Sequence, residues 1–279
     1  MRTKIHPRLV FSSRASGGDF RAALSFAAAH HFDGIDWNLD YFRIAAASNA
    51  RKLFTEAVLN SGLPTRFHAP CQDVEIGHAN PLYAEAALIY LKMYIDFVKV
   101  FPETHLNLHI GSRSIPETEL SWETALHHLK ELVRYGRECG VTVCLENLKK
   151  GWTSDPERLA ALAAASGAMV TLDIGHARAF LKAAQLSVSL EQYIQPFAHR
   201  IRNLHLYEIE TVAGRHQEPE NLEAIGPILN WALEHEIQWW VLELSDFDEA
   251  LRTKRLLEAA YLAERPAEIA HQKILKRIN

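Results

Sequence analysis

The chain has 279 residues, of which 48% are hydrophobic and 23% charged, and its 34 acidic side chains against 30 lysines and arginines give a net charge of −4. This composition excludes collagen-like, low-complexity and intrinsically disordered proteins, and the slight acidity argues against a dedicated nucleic-acid binder. No apolar run approaches the roughly 20 residues that span a bilayer, and the N-terminus does not resemble a signal peptide. Three cysteines make no disulfide framework, so we expect a cytoplasmic enzyme.

Short runs typical of β-strands alternate along the chain with longer stretches of helical spacing. The eight predicted strands lie at 8–13, 34–39, 64–69, 105–110, 141–147, 169–174, 201–208 and 239–244. Helix starts are indicated by Asp155 followed by Pro156, and by Asp246 with Glu249 three residues later. The sequence therefore predicts repeated strand–helix units.

Eight such units in about 250 residues predict an α/β fold, a single (β/α)₈ TIM barrel that forms one domain over residues 1–279. A doubly wound open sheet is the alternative, but Ser16-Gly17-Gly18-Asp19 is too short for the Gly-rich phosphate loop of that fold. Residues 265–279 follow the eighth unit. The spacing of their isoleucines predicts an extra packed helix.

Polar side chains stand at or near the C-terminal ends of predicted strands three to eight, which converge on one mouth in a barrel. Burying a lone carboxylate or imidazole there costs several kcal/mol unless it is paired or bound to a metal. Because no array of arginines or lysines stands at the same ends, we predict a divalent cation: Mn²⁺, Zn²⁺, Co²⁺ or Mg²⁺. The residues are His68, His109, Glu146, Asp173, His176, His205 and Glu243.

Other polar and aromatic residues have a more ordinary interpretation. Any one histidine at a strand end is more often a hydrogen-bonded core residue than a ligand, and His105 begins its strand, at the wrong end for catalysis. We expect Cys144 to pack inside the barrel. Asn38, Trp37 and Trp152 are candidates for pocket walls, although such aromatic residues more often pack. Histidines of the helical stretches are expected to be partly exposed: His30, His31, His127, His128, His199, His235 and His271.

The chain resembles the xylose-isomerase-like barrels in the order and spacing of short motifs. These motifs are FDGIDW, RFHAP, LNLHIG, VCLENL, TLDIGHA, NLHL, GRHQEP and VLEL. That superfamily groups sugar isomerases and epimerases with the type-IV apurinic/apyrimidinic endonucleases. The most specific part of the resemblance is Glu-Asn-Leu on strand five followed by Asp-x-Gly-His on strand six.

The resemblance to the isomerase and epimerase branch implies one divalent metal ion and a set of site residues. It implies that the metal is bound by Glu146, Asp173, His205 and Glu243. The two glutamates then also serve as the catalytic acid/base pair. Substrate contacts are expected from His68, His109, His176, Arg215 and His216, most of which also have counterparts among the metal ligands of the three-metal endonuclease branch.

Two departures from the endonuclease branch favour the sugar enzymes. Gly214 stands where that branch has the Asp of Asp-x-His, and Ala69-Pro70-Cys71 replaces a Ser-Tyr-Leu-Ile-Asn type run. These departures leave open whether His68, His109 and His216 bind a second or third metal. The residues Glu220 to Glu223 replace the Gly-rich stretch of the familiar sugar enzymes, which predicts a different substrate.

We therefore expect a metal-dependent isomerase or epimerase of carbohydrate metabolism that acts on a sugar or small hydroxy-ketone through an enediolate. The sequence leaves the choice between isomerisation and epimerisation, the identity of the substrate and the oligomeric state open. The alternative is endonuclease-IV-like, metal-dependent hydrolysis of a phosphodiester on abasic DNA. A metal-binding barrel without turnover is a third hypothesis. Membrane and nucleic-acid partners are not expected.

Overall fold

The computed structural model describes residues 6–42, 48–111 and 115–262, and within them eight parallel strands close a barrel. Each strand pairs with its neighbour in the chain, and the last barrel strand closes against the first, with Arg8 opposite Trp239. This confirms the predicted (β/α)₈ barrel. The barrel strands are β1 (Arg8–Ser12), β2 (Gly34–Asn38), β3 (Thr65–His68), β4 (His105–Leu108), β5 (Thr142–Glu146), β6 (Met169–Asp173), β7 (Ile201–Leu206) and β10 (Trp239–Leu242).

Helices surround the barrel, and several of them begin at residues that cap the helix with a side chain. Asp155 accepts hydrogen bonds from the backbone N–H groups of Glu157 and Arg158, and Asp246 accepts them from Asp248 and Glu249. The helices in the described residues are α1 (Phe20–Ala29), α2 (Ser48–Ser61), α3 (Pro81–Val98), α4 (Trp122–Glu138), α5 (Pro156–Ser166), α6 (Ile174–Ala183), α7 (Leu190–Ile194), α8 (Gly226–Glu234) and α9 (Phe247–Tyr261).

A small antiparallel hairpin between β7 and α8 was not predicted from the sequence. It consists of β8 (Ile209–Glu210) and β9 (His216–Gln217), with Glu210 directly opposite His216. Gly214 has a φ of +82° in the connecting turn, a conformation that glycine adopts without steric cost. The hairpin thus brings a glutamate and a histidine of the β7–α8 connection side by side.

The two faces of the barrel strands carry different residues because side chains alternate along a strand. Outward residues such as Leu9, Leu106 and Leu172 join the main apolar core with the helices, whereas the inward apolar cluster of the described residues is only Val10, Trp239 and Val241. Much of the interior is polar instead. The metal-ligand candidates are therefore inward-facing residues of the same strands, or residues directly after them.

A polar layer lies at the N-terminal end of the barrel interior. The Arg66 guanidinium donates a hydrogen bond of 2.6 Å to Asn203 Oδ1 and lies 4.5 Å from the centre of the Trp239 ring. His105 Nδ1 lies 3.1 Å from the same Asn203 oxygen. Burial and the nearby Arg66 lower the pKa of His105 to about 3. His105 is therefore neutral and structural, as its place at the start of a strand predicts.

One helical histidine and two residues of β2 differ in their surroundings. His128 is buried, with Nδ1–H donating to the carbonyl oxygen of Ile76 at 2.8 Å, so the expectation of partial exposure is wrong for this helical histidine. Asn38 lines the cavity at the mouth, whereas Trp37 packs in the core against Phe54. The predicted helix at 265–279 lies outside the described residues. No helix among the described residues is long and apolar enough to span a membrane.

Candidate active site

The polar residues predicted at the strand ends meet at the C-terminal mouth of the barrel. A cavity of about 400 Å³ opens there. All of these residues except His109 are buried, and Asp173 and His205 are not part of the cavity wall. The others line the wall of the cavity: His68, His109, Glu146, His176, His216 and Glu243. The fold therefore collects residues from six barrel strands and one hairpin at one place.

Four of these residues form a compact group, hereafter the central group: Glu146, Asp173, His205 and Glu243. Each offers one ligand atom within 4.8 Å of the others. His205 Nδ1 lies 3.3 Å from Glu146 Oε2 and 3.1 Å from Glu243 Oε2. Ligand atoms bound to one ion at about 2.0–2.2 Å lie roughly 3–3.4 Å apart, so these spacings fit a single metal ion.

Hydrogen bonding and charge in the central group also fit a cation. Both ring nitrogens of His205 and Glu243 Oε2 are buried and make no well-aligned hydrogen bond with any described residue. Buried polar atoms are normally hydrogen-bonded, so these three atoms require a further partner, and a metal ion would serve as one. Burial opposes a charged His205, but Glu146 and Glu243 raise its pKa well above the usual value. The group thus favours a positive charge between its carboxylates.

Neighbouring polar side chains hold the central group in place. Asn147 connects the ends of β5 and β6 through two hydrogen bonds. Its Nδ2–H donates to the Asp173 carbonyl, and its Oδ1 accepts from the Asp173 N–H, both at 2.8 Å. Asn107 donates to Glu146, and the Tyr207 hydroxyl donates to Asp173 Oδ2 at 3.0 Å. Burial, partly offset by His176, raises the pKa of Asp173 to about 7. The Asn of the Glu-Asn-Leu motif is thus a positioning residue.

The glycine of the Asp-x-Gly-His motif makes room for Tyr207. A Cβ built on Gly175 would overlap the Tyr207 ring, which stacks on the His216 ring at a centroid distance of 3.8 Å. Asp173 Oδ1 also caps the start of α6 by accepting the His176 N–H at 2.6 Å. Gly175 therefore lets Tyr207 contact the central group and His216 at the same time.

We expect Gly175→Ala to destabilise the protein by about 1–3 kcal/mol, because the added methyl group overpacks a closed contact. Gly226→Ala is the matched control: it lies in α8, its nearest neighbour is 4.0 Å from an added Cβ, and alanine suits a helix. Urea unfolding midpoints of the two variants and the wild type measure the difference. Equal midpoints for Gly175→Ala and the wild type would contradict this role of Gly175.

A second group, the upper group, consists of His68, His109 and Glu146. The His68 Nδ1–H donates to the carbonyl oxygen of Ala69 at 2.7 Å, which leaves Nε2 facing the site. That nitrogen lies 3.1 Å from His109 Nε2, and His109 Nε2 lies 3.3 Å from Glu146 Oε1. Burial lowers the pKa of His68. A neutral imidazole fixed in this tautomer can bind a metal or accept a hydrogen bond from a substrate hydroxyl.

A third group, the hairpin group, consists of His176, Glu210 and His216. His176 Nδ1–H donates to the Asn147 carbonyl at 2.9 Å, and its Nε2 lies 3.0 Å from Glu210 Oε2. Burial opposes a charged His176, but Asp173 and Glu210 raise its pKa to about 9. In this group Glu210 supplies the carboxylate that the endonuclease branch takes from the Asp at the position of Gly214. A third candidate metal group is therefore present although the endonuclease Asp is replaced by Gly214.

The structure brings Arg14, not Arg215, into the cavity wall. Arg215 is exposed and pairs with Glu249 of α9, so its predicted contact with substrate oxygens has no support from its position. Arg14 follows β1, and its Nε–H donates to Ser245 Oγ at 3.0 Å. Arg14 and Lys149, which follows β5, are two basic residues near strand ends that pair with carboxylates of the site, although they do not form an array around it. Arg14 follows the first predicted strand, and a search for polar residues at the end of that strand, as at strands three to eight, would have found it.

Known proteins share the sequence pattern and the fold. A family model described as "Xylose isomerase-like TIM barrel" matches residues 24–248. The uncharacterized protein MJ0008 of Methanocaldococcus jannaschii is 30% identical over 192 residues, 69% of this chain and 78% of that protein. Solved structures share the fold as well. A D-tagatose 3-epimerase-like protein superposes with a TM-score of 0.69 at 16% identity, covering 98% of this chain and 100% of its own. Endonuclease IV from Thermus thermophilus has a TM-score of 0.60 at 18% identity, covering 91% and 98%. The chain belongs to the xylose isomerase-like TIM barrel family.

Proposed function

We propose that this protein is a divalent-metal-dependent isomerase or epimerase of a sugar or small hydroxy-ketone. The observation that carries the proposal is the geometry of the central group. Glu146 and Glu243 stand three strands apart in the barrel and approach the same His205 nitrogen within 3.3 Å and 3.1 Å. One ion and two carboxylates can therefore contact a single small substrate from different sides.

The chemistry assigns separate tasks to these side chains. A divalent ion held by Glu146, Asp173, His205 and Glu243 supplies Lewis acidity for the negative charge that develops when a carbon next to a carbonyl loses its proton. One of the two glutamates removes that proton, and the other returns one. His68 and His109 are placed to hydrogen-bond substrate hydroxyls, whereas both ring nitrogens of His176 and of His216 already have partners in the protein. Return to the same carbon gives epimerisation, and return to its neighbour gives isomerisation.

The cavity suits a small polar substrate. Its volume of about 400 Å³ lies at the lower end of the range of about 300–1,000 Å³ for small-molecule sites. Its wall includes Asn38, Asp40 and Gln72, whose side chains can pair with hydroxyl groups. The wall holds Asp40 and Asp73 as well as Arg14, and the chain has a net charge of −4, so the mouth is a poor electrostatic match for a polyanion.

Metal-dependent hydrolysis of a phosphodiester on abasic DNA is the second candidate. It is favoured by the upper and hairpin groups, which flank the central group and supply enough histidine and carboxylate ligands for further ions. Several ions at one site can stabilise the attacking and leaving oxygens of a phosphate ester. The two candidates therefore differ in the number of ions and in the bond that reacts.

Hydrogen exchange with solvent tests the proposed function without knowledge of the natural substrate. Proton transfer through a carboxylate open to water places deuterium on the carbon next to the carbonyl when the reaction runs in D₂O. We expect the metal-loaded protein to label at least one compound in a panel of ketoses and hydroxy-ketones, as followed by proton NMR. The same protein treated with a chelator should label none.

A parallel assay with a duplex that holds one abasic site separates the two candidates. The proposed function predicts no metal-dependent cleavage of this duplex above that of an intact duplex. Metal-dependent cleavage at the abasic site, with no deuterium in any member of the panel, would contradict the isomerase proposal and support the hydrolase.

A further inference from the structure

Arg14 lies against the hairpin group at the mouth of the barrel. Its Nη1 is 3.2 Å from His216 Nε2 and 3.7 Å from Glu243 Oε1, while its Nε–H donates to Ser245 Oγ at 3.0 Å. The side chain is mostly buried, with 21% of its surface exposed. Because Ser245 and Glu243 hold it from two sides, the guanidinium is fixed beside His216.

The hydrogen bonds of His216 assign a role to each of its ring nitrogens. Nδ1 lies 2.6 Å from the carbonyl oxygen of Glu243, an acceptor only, so Nδ1 carries a proton and donates it. Arginine has donors and no acceptor, so Nε2 must accept from Arg14 through its one lone pair. A metal ion bound to His216 at this nitrogen needs the same lone pair. Arg14 and a metal ion therefore exclude one another at His216.

A second basic side chain neutralises the carboxylate of the same group. Lys149 Nζ lies 3.2 Å from Glu210 Oε1, and it also donates to the Thr211 carbonyl at 3.0 Å. The hairpin group thus has two side-chain cations within its contacts. In the central group, by contrast, neither nitrogen of His205 makes a well-aligned hydrogen bond with any described residue. The hairpin group is thus approached by two basic side chains, whereas Arg14, 3.7 Å from Glu243, is the basic side chain that approaches the central group among the described residues.

We propose that Arg14 takes the place of a metal ion at the hairpin group and so limits the number of ions that the site holds. This inference rests on the metal-binding part of the proposed function and not on the reaction. It explains how a chain with three groups of metal-ligand residues in one mouth keeps the central ion while its third group stays closed. Removing Arg14 should open the hairpin group to a metal ion.

Zinc binding to the purified, folded protein tests the inference. The wild type, Arg14→Ala and Arg14→Lys are each dialysed against buffered Zn²⁺ alone, and zinc per chain is measured by elemental analysis over a range of free concentrations. We expect Arg14→Ala to bind one more ion per chain than the wild type, with an affinity for that ion about 10- to 100-fold higher, as expected for the loss of a competing charged hydrogen bond. Arg14→Lys keeps the positive charge and should gain none.

Two further variants identify where the additional ion binds. Adding His216→Ala to Arg14→Ala should abolish the gain, and Arg215→Ala, the neighbouring exposed arginine, should leave the zinc content at the wild-type value. The inference is overturned if the wild type already binds three ions per chain, or if folded Arg14→Ala, checked by its melting curve, gains none. Neither result bears on deuterium exchange, so the proposed reaction is tested separately.

Discussion

Asp173→Asn is expected to abolish tight metal binding at the central group and, with it, metal-dependent hydrogen exchange. The change keeps the shape of a fully buried side chain and its hydrogen bond to the His176 N–H, but it removes one of the three negative charges of the group. Replacing residues that merely support a metal ligand already lowers affinity about 10- to 100-fold, so loss of a ligand itself should exceed that range. Equilibrium dialysis with Mn²⁺ or Zn²⁺ measures the change.

Asp155→Asn is the control for Asp173→Asn. Asp155 also caps a helix with its carboxylate, at the start of α5, but it belongs to none of the candidate metal groups. Asparagine is an equally good helix cap, so both the metal content and the stability of this control should stay close to those of the wild type. Full metal content in Asp173→Asn would contradict its assignment as a ligand.

Glu243→Gln and Glu146→Gln are expected to lower the rate of deuterium exchange by about 10²- to 10⁴-fold, the usual contribution of a positioned general acid or base. Both glutamates also belong to the central group, so the rate is compared per bound metal ion, at metal concentrations that saturate each variant. A loss that persists at full metal occupancy assigns proton transfer to the carboxylate. The measurement is the initial rate of deuterium incorporation followed by NMR.

Glu249→Gln controls for the removal of a largely buried carboxylate. Glu249 pairs with Arg215 at the start of α9 and is absent from the cavity wall. Its variant should exchange deuterium at the wild-type rate. The assignment of Glu146 and Glu243 as the acid/base pair would fail if both glutamine variants, saturated with metal, exchanged deuterium as fast as this control.

The sequence predicted the barrel because its signals are local. Each strand is a short apolar or β-branched run, and the helical stretches are amphipathic, several of them with a capping residue at the start. The central group could be predicted for a related reason. Parallel strands in a barrel place their C-terminal ends at one mouth, so residues such as Glu146 and Asp173 must lie close together once the strand order is known.

The parts that the sequence analysis missed depend on contacts between distant segments. Glu210 reaches His176 because a hairpin folds after β7, and only the alternation in Tyr-Glu-Ile-Glu hints at that extension. Arg215 was expected in the site from its place in the motif, but its direction is set by Glu249, 34 residues away. The position of Arg14 depends on Ser245, 231 residues away. Such side-chain directions follow from tertiary packing and not from spacing along the chain.

The position of the metal ion is the most direct test of the account. Crystals of the wild type grown with Mn²⁺ should show an anomalous difference peak about 2.0–2.3 Å from ligand atoms of Glu146, Asp173, His205 and Glu243 together. The Arg14 guanidinium should remain hydrogen-bonded to His216 in the same crystals. A fully occupied ion bound elsewhere, with the four side chains of the central group left uncoordinated at saturating Mn²⁺, would contradict the central claim.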